Sequence, residues 1–310
     1  MKLSIVATLY RSAAYVREFH ERASAAARKL VGEGEYEIVL VNDGSPDNSL
    51  QLAVELAGRD PHLVVVDLSR NFGHHKAMMT GLDHARGERI FLIDSDLEEA
   101  PEYLTSFAEQ MDRESCDVVY GVQGTRKGGW FERCSGYLFW KLIAALSGLP
   151  LPANVVTARL MTRQYVDALL LHDEREVFMA GLWFITGFDQ RAQTVHKLDT
   201  SESTYTMRRR VSLLVNSVTS FSNLPLVAIF YVGLVILALA CCYIAFLVLN
   251  WFFLSTPVEG WTSVVASVWL LGGLIVSFMG VIGIYLSKIY SEAKRRPYTV
   301  VKRVYGNRQD

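Results

Sequence analysis

Two long uncharged stretches constrain this chain more than any other feature. Residues 226–249 and 263–286 each run for about 24 positions without Asp, Glu, Lys or Arg, and a helix of about 20 apolar residues already matches the hydrocarbon thickness of a bilayer. Buried core helices are the alternative, but two such runs side by side disfavour it. Trp251, Phe252 and Phe253 follow the first run, where interfacial aromatics collect. Residues 256–260, with Pro257 and Glu259, read as a short turn. Gly273 and Ser277, then Gly283 and Ser287, have the small-xxx-small spacing that lets helices approach closely. This spacing permits self-association, or closure of the hairpin on itself.

Charge gives the hairpin an orientation. Arg208, Arg209 and Arg210 precede the first run; Lys288, Lys294, Arg295, Arg296, Lys302 and Arg303 follow the second; the connecting turn carries no Lys or Arg. The positive-inside rule then places the N-terminal domain and the tail in the cytoplasm. The runs hold no ionisable pair, which argues for an anchor rather than a transporter. Residues 211–221 mix Val and Leu with Ser and Asn and read as a helix along the membrane surface, or a plain linker. The expected organisation is a globular domain over 1–205, a juxtamembrane interfacial helix over 206–223, a first span over 224–254, an external turn over 255–262, a second span over 263–287 and a basic cytoplasmic tail over 288–310.

The overall net charge of −1 implies no nucleic-acid partner. Cys116, Cys134, Cys241 and Cys242 form neither a disulfide framework nor a metal-ligand spacing, as in a reducing compartment. The first apolar run, residues 3–10, is short and meets Arg11; it reads as a strand, not a signal peptide.

The first 205 residues alternate short apolar runs with helical patterns. Strands are expected over 3–10, 36–41, 63–68, from residue 89, and over 117–122. Helices are expected over 13–30, up to residue 57, and over 75–85, 101–114, 137–146 and 164–171. Residues 185–188 and 192–197 read as short strands, and the Gly- and Arg-rich segment 124–133 as a loop. Such alternation predicts an α/β fold: a parallel sheet with helices on both faces. His74 and His75, opening a helix, read as surface or cap residues.

The fourth strand ends in Ile93-Asp94-Ser95-Asp96-Leu97. In an extended chain, side chains at i and i+2 point the same way, so Asp94 and Asp96 are expected to converge just past the strand's C-terminal end, where open α/β sheets bind ligands. Two hard oxygen donors there suit Mg²⁺ or Mn²⁺ held jointly with a substrate's phosphates. The pattern is short, and a solvated acidic turn is the alternative.

Taken together, the motifs resemble family 2 glycosyltransferases of the polyprenyl-phosphate type, such as bactoprenol glucosyltransferases and dolichol-phosphate mannose synthases. The residues that carry the resemblance are 41–45 (Val-Asn-Asp-Gly-Ser), 69–73 (Ser-Arg-Asn-Phe-Gly), Asp94-Ser95-Asp96-Leu97 with Pro101 and Glu102, Tyr120-Gly121-Val122, Arg159-Leu160-Met161, Glu174-Arg175, Gly187-Phe188-Asp189-Gln190, 219–222, and Lys288-Ile289-Tyr290, with the two uncharged runs. It covers nearly the whole chain.

The resemblance implies a GT-A, Rossmann-like nucleotide-sugar domain followed by a two-helix transmembrane hairpin. It implies inverting transfer of a sugar from a nucleotide sugar, UDP-glucose or another UDP-hexose first, to undecaprenyl phosphate at the cytoplasmic face of a bacterial inner membrane. The product would serve cell-surface glycan synthesis or modification, as in O-antigen. Thr8, Tyr10, Asp43, Arg70, Asp94 and Ser95 are implied to bind the nucleotide. Asp94 and Asp96 are implied to hold Mg²⁺ or Mn²⁺, and Asp94, Asp96, Glu98 and Arg159 to act in catalysis. An anionic acceptor calls for cations, and Arg126, Lys127, Arg133, Arg159, Arg208 and Arg209 are the candidates.

The chain also departs from the family pattern. Thr157 stands where many members carry an Asp proposed as a base, and Glu98-Glu99-Ala100 replaces Gln-Asp-Pro. A phosphate acceptor carries charge already at neutral pH and needs little deprotonation; a hydroxyl acceptor would need a base. Two other readings follow: transfer to a hydroxyl of a lipid-linked glycan, with Glu98 or Glu99 as the base, or a catalytically silent scaffold that binds nucleotide sugar.

Overall fold

The computed structural model describes residues 1–124, 154–175, 177–197, 222, 224–254 and 260–306. The chain divides into two compact units, one of residues 1–140, 150–206 and 295–310, the other of 141–149 and 207–294.

The first unit is built on strands β1 (Leu3–Leu9), β2 (Tyr36–Asn42), β3 (Leu63–Leu68), β4 (Arg89–Leu92), β5 (Val118–Gln123), β6 (Val155–Thr162), β7 (Gln190–Val195) and β8 (Val301–Tyr305). They form one sheet in the order β7-β5-β6-β4-β1-β2-β3-β8. β1, β2 and β3 are buried along their whole length, as the near-continuous apolar runs of a covered sheet require. Helices α1 (Val16–Val31), α2 (Ser49–Ala57) and α4 (Tyr103–Glu114) pack on one face through Phe19, Ala53 and Phe107. Helices α3 (His74–His84), α5 (Arg163–Leu170) and α6 (Met179–Ile185) pack on the other through Met78, Tyr165 and Leu182.

The sheet is mixed, which corrects the all-parallel expectation. β1 to β4 are parallel, but β6 runs antiparallel between β4 and β5. No apolar run announces β6, because Thr157 and Arg159 interrupt it. Residues 185–188 are not a strand: Ile185 ends α6, and Gly187 (φ 76°) and Phe188 (φ 63°) turn in the left-handed region. The tail also returns to the domain, where β8 pairs antiparallel with β3 and covers that sheet edge.

The tips of the first three strands are knitted together. The Arg11 backbone N–H donates to Ser45 Oγ at 2.7 Å. Gly44 sits at φ 58°, and a Cβ there would overlap the backbone of Arg70 and Asn71. Gly44→Ala should therefore combine left-handed strain with a backbone clash and destabilise the domain by about 2–3 kcal/mol, measured as a fall in the thermal unfolding midpoint.

The second unit holds α7 (Leu224–Leu254) and α8 (Trp261–Ala293). Ser222 Oγ accepts from the Leu224 N–H, and Tyr285 Oη donates to the Ser222 carbonyl at 2.7 Å, joining the late part of α8 to the start of α7. Among the described residues, 267–293 form one helix long and apolar enough to cross a membrane, while 224–240 form a shorter apolar stretch. The expected interfacial helix over 206–223 falls, apart from Ser222, outside the described residues.

Candidate active site

β4 ends at Leu92, so Asp94 and Asp96 do not lie on an extended strand. The chain turns instead. Asp96 Oδ1 accepts from the Glu98 N–H at 3.0 Å, and Leu97 takes a left-handed φ of 60°. The two carboxylates are neighbours through this turn and not through strand periodicity. Burial, with repulsion from Asp94 and Glu98, pushes the Asp96 carboxyl up.

Asp94 is held from the side by β6. The antiparallel register pairs Leu92 with Arg159, and two residues further along Thr157 falls beside Asp94. Thr157 Oγ1 donates to Asp94 Oδ2 at 2.7 Å. Asp94 Oδ1 is buried and accepts no aligned hydrogen bond, although His74 Nε2 lies 3.2 Å away. Burial raises the Asp94 carboxyl, but His74, Thr157 and Lys197 outweigh it and hold the group below the ordinary carboxylate range. His74 Nδ1 lies 3.0 Å from Thr8 Oγ1. His74 thus stays half-exposed at the start of α3, as its surface reading expects, while its ring also faces the acidic turn. Burial pulls its imidazole down, but Asp94 and the other acids carry it up overall.

The remaining residues expected at the nucleotide lie around the same strand tips. Tyr10 is exposed, with the Arg11 guanidinium 5.7 Å from its ring centre. Asp43 is buried and accepts from the N–H groups of Phe72 (2.7 Å) and Gly73 (3.0 Å); burial pushes its carboxyl up against those two bonds. Arg70 stacks 4.1 Å over Phe72 and donates to the Asn71 carbonyl. The Ser95 hydroxyl is turned inward, donating to the Thr8 carbonyl at 2.7 Å. This bond ties the turn after β4 to β1. Arg126, Lys127, Arg133, Arg208 and Arg209 lie outside the described residues.

Next to Asp94 opens a cavity of about 600 Å³, lined by Glu99, Thr157, Arg159, Lys197 and His74 and by the apolar Met78, Phe178, Trp183 and Phe188. Arg159 is almost fully buried, its guanidinium 3.0 Å from the centre of the Trp183 ring. Among the described residues no carboxylate comes within ion-pair distance of it, and burial pulls it down to about 9.

Glu98 and Glu99 part company here. Glu98 pairs with Lys197 at 2.7 Å. Glu99 is buried, accepts from the N–H groups of Thr157 (3.2 Å) and Ala158 (2.6 Å), and is pushed by burial and by Asp94 to about 7. Of the two, Glu99 is the one that lines the cavity.

That shift has a measurable consequence. The folded value of Glu99 lies above its ordinary value of 4.5, so protonated Glu99 stabilises the fold fully below the unfolded value. This stability is lost as pH rises through about 7 and amounts to something on the order of 3 kcal/mol. The thermal midpoint of the metal-free protein should fall between about pH 5 and pH 8, and Glu99→Gln should flatten that slope.

Among the described residues, no group of three or more His, Cys, Asp or Glu is disposed to hold a metal ion alone. A Mg²⁺-type ion commonly takes one or two carboxylates and completes its shell with substrate phosphate and water. The unbonded Asp94 Oδ1 and the charge crowding at Asp96 fit that donor set.

An acidic turn at the C-terminal tips of a parallel βαβ core, beside a cavity with a buried cation, lies where open α/β sheets bind their ligands. The family model for glycosyl transferase family 2 matches residues 4–170. A Mycobacterium tuberculosis protein bearing a glycosyltransferase name is 48% identical over 307 residues, 99% of this chain and 89% of that protein. The prophage bactoprenol glucosyl transferase homolog of Escherichia coli K12 is 33% identical, covering 93% of this chain and 92% of its own length. The bactoprenol glucosyl transferase of Shigella phage SfII is 30% identical, covering 99% and 100%. Among solved structures, S. aureus TarS 1–349 in complex with UDP-GlcNAc aligns over 70% of this chain and 66% of that one, at 19% identity and a TM-score of 0.44. The chain belongs to glycosyl transferase family 2, and its domain is a GT-A-like mixed α/β sheet.

Sequence reading passed over His74, Trp183 and Lys197 as site residues. Only tertiary packing brings them to Asp94, Arg159 and Glu98. The one available signal was the position of His74, directly after the family-like segment 69–73.

Proposed function

We propose that this protein transfers a hexose from a UDP-sugar, UDP-glucose foremost, to undecaprenyl phosphate at the cytoplasmic face of a bacterial membrane. The observation that carries the acceptor half is the cavity: a buried guanidinium backed by Trp183, with apolar Met78, Phe178 and Phe188 along the walls. Guanidinium favours phosphate, and the apolar lining suits the hydrocarbon bonded to it. A polar glycan would gain little from those walls. The similarity to proteins named bactoprenol glucosyl transferase supports the same reading.

Asp94 and Asp96 would hold Mg²⁺ or Mn²⁺, whose chemistry there is to neutralise the departing diphosphate. The acceptor phosphate oxygen attacks C1 of the sugar from the face opposite the leaving group. The C1–O bond breaks, the configuration inverts, and the nucleoside diphosphate leaves with the bonding electrons. The attacking oxygen already carries charge, so no base is required and Thr157 suffices where an acid is common. Arg159 orients the acceptor phosphate.

The helices α7 and α8 would cross the bilayer as a hairpin, with the domain and both termini on the cytoplasmic side. Their exposed Phe230, Leu239, Trp269 and Val276 support a lipid-facing surface, as does the flanking positive charge.

The test uses the purified full-length chain in detergent with Mg²⁺ or Mn²⁺, labelled UDP-sugars, and either undecaprenyl phosphate or a lipid-linked glycan as acceptor. Label in the lipid phosphate alone supports the proposal. Label only in the glycan selects the hydroxyl reading, and donor binding by calorimetry without turnover selects the scaffold.

A further inference from the structure

Asp94 has a side-chain neighbour at each carboxylate oxygen. Its Oδ2 receives the Thr157 hydroxyl at 2.7 Å, its Oδ1 faces His74 Nε2 at 3.2 Å, and the other ring nitrogen of His74 meets Thr8 Oγ1 at 3.0 Å. Thr157 is itself fixed, because its N–H and that of Ala158 both end on Glu99. We propose that Thr157 and His74 are positioning residues that lock the Asp94 carboxylate in one orientation for the metal–diphosphate, with Thr8 setting the His74 ring. This rests on the metal role proposed above.

The terminal torsion of an Asp side chain is broad and roughly two-fold, so a carboxylate held at one end only can swivel. The Thr157 hydroxyl bonded to Oδ2, with the His74 ring 3.2 Å from Oδ1, restricts that freedom. His74 Nδ1 stands 3.0 Å from Thr8 Oγ1, and that contact holds the ring in place beside Asp94. Mg²⁺ demands near-ideal octahedral geometry, so orientation of its carboxylate is where such partners act. The same packing explains why a hydroxyl suits position 157. An acid there would repel the Asp94 carboxylate, whereas the hydroxyl donates to it.

The experiment measures Mn²⁺ affinity by electron paramagnetic resonance on the full-length protein in detergent, with UDP present. T157V and H74L should each weaken Mn²⁺ binding about 10- to 100-fold, the usual range for partners of metal ligands. T157S, which keeps the hydroxyl, and H74Q, which keeps a nitrogen donor near Nε2, should recover most of it. Thermal melting without metal checks that each variant is folded, and T157A replaces T157V should the latter not melt cooperatively. Wild-type affinity in T157V or T157A and in H74L overturns the clamp while leaving the metal reading intact. Failure of the unmodified protein to bind Mn²⁺ with UDP overturns the metal reading, and the clamp with it.

Discussion

Asp96→Asn should reduce sugar transfer by about a thousandfold or more while leaving the domain folded. The structure explains why the two effects separate. Asp96 Oδ1 accepts from the Glu98 N–H at 3.0 Å, and the amide oxygen of Asn can accept the same bond. The turn through Leu97 therefore survives. The formal charge is lost, and with it one of the two carboxylates available to a cation. The loss should appear in turnover and in Mn²⁺ affinity together, with the melting temperature unchanged or raised. A rise is expected because burial and the charges of Asp94 and Glu98 already push this carboxyl up, so a neutral group relieves repulsion. Undiminished turnover in Asp96→Asn would remove the metal assignment.

The acidic turn was legible in the sequence by residue type but not by geometry. Its position after an apolar strand located it correctly. Strand periodicity, however, was the wrong reason for the carboxylates to meet, since β4 stops at Leu92 and the chain turns. The parallel core was legible because β1, β2 and β3 are mostly apolar, with only isolated polar residues such as Ser4, Glu37 and Asp67. β6 was not, because a central antiparallel strand that carries Thr157 and Arg159 into a cavity has no apolar signature. The tail strand β8 was hidden for a related reason. Lys302 and Arg303 look like topology charges, and only the sheet shows that Val301, Val304 and Tyr305 pair with β3. The partners of Asp94 come from α3, 20 residues before it, and from β6, 63 residues after it. Contacts of that kind are set by sheet order and not by local pattern.

The second large effect concerns Arg159, where stability and function should move in opposite directions. Truncating one partner of a buried ion pair usually strands the other charge and destabilises strongly. Arg159 is different: among the described residues no carboxylate lies within ion-pair distance, and burial holds its guanidinium down at about 9. Arg159→Met keeps an unbranched apolar stem against Trp183 and removes a desolvated charge, so the melting temperature should hold or rise. Transfer to the lipid phosphate should still fall, because charge-assisted hydrogen bonds to a buried anion contribute about 1.5–3 kcal/mol, which corresponds to about 10- to 100-fold in kcat/KM for the acceptor. Binding of UDP with Mn²⁺ should be unaffected, as Asp94 and Asp96 are untouched. Arg159→Lys should recover only part of the loss, since an ammonium lacks the planar fork that matches phosphate and cannot stack on the indole in the same way. A variant that melts like the parent and keeps its acceptor KM would place the phosphate elsewhere than this cavity. One that loses stability and acceptor binding together would mean that Arg159 is a packing element and not a binding one.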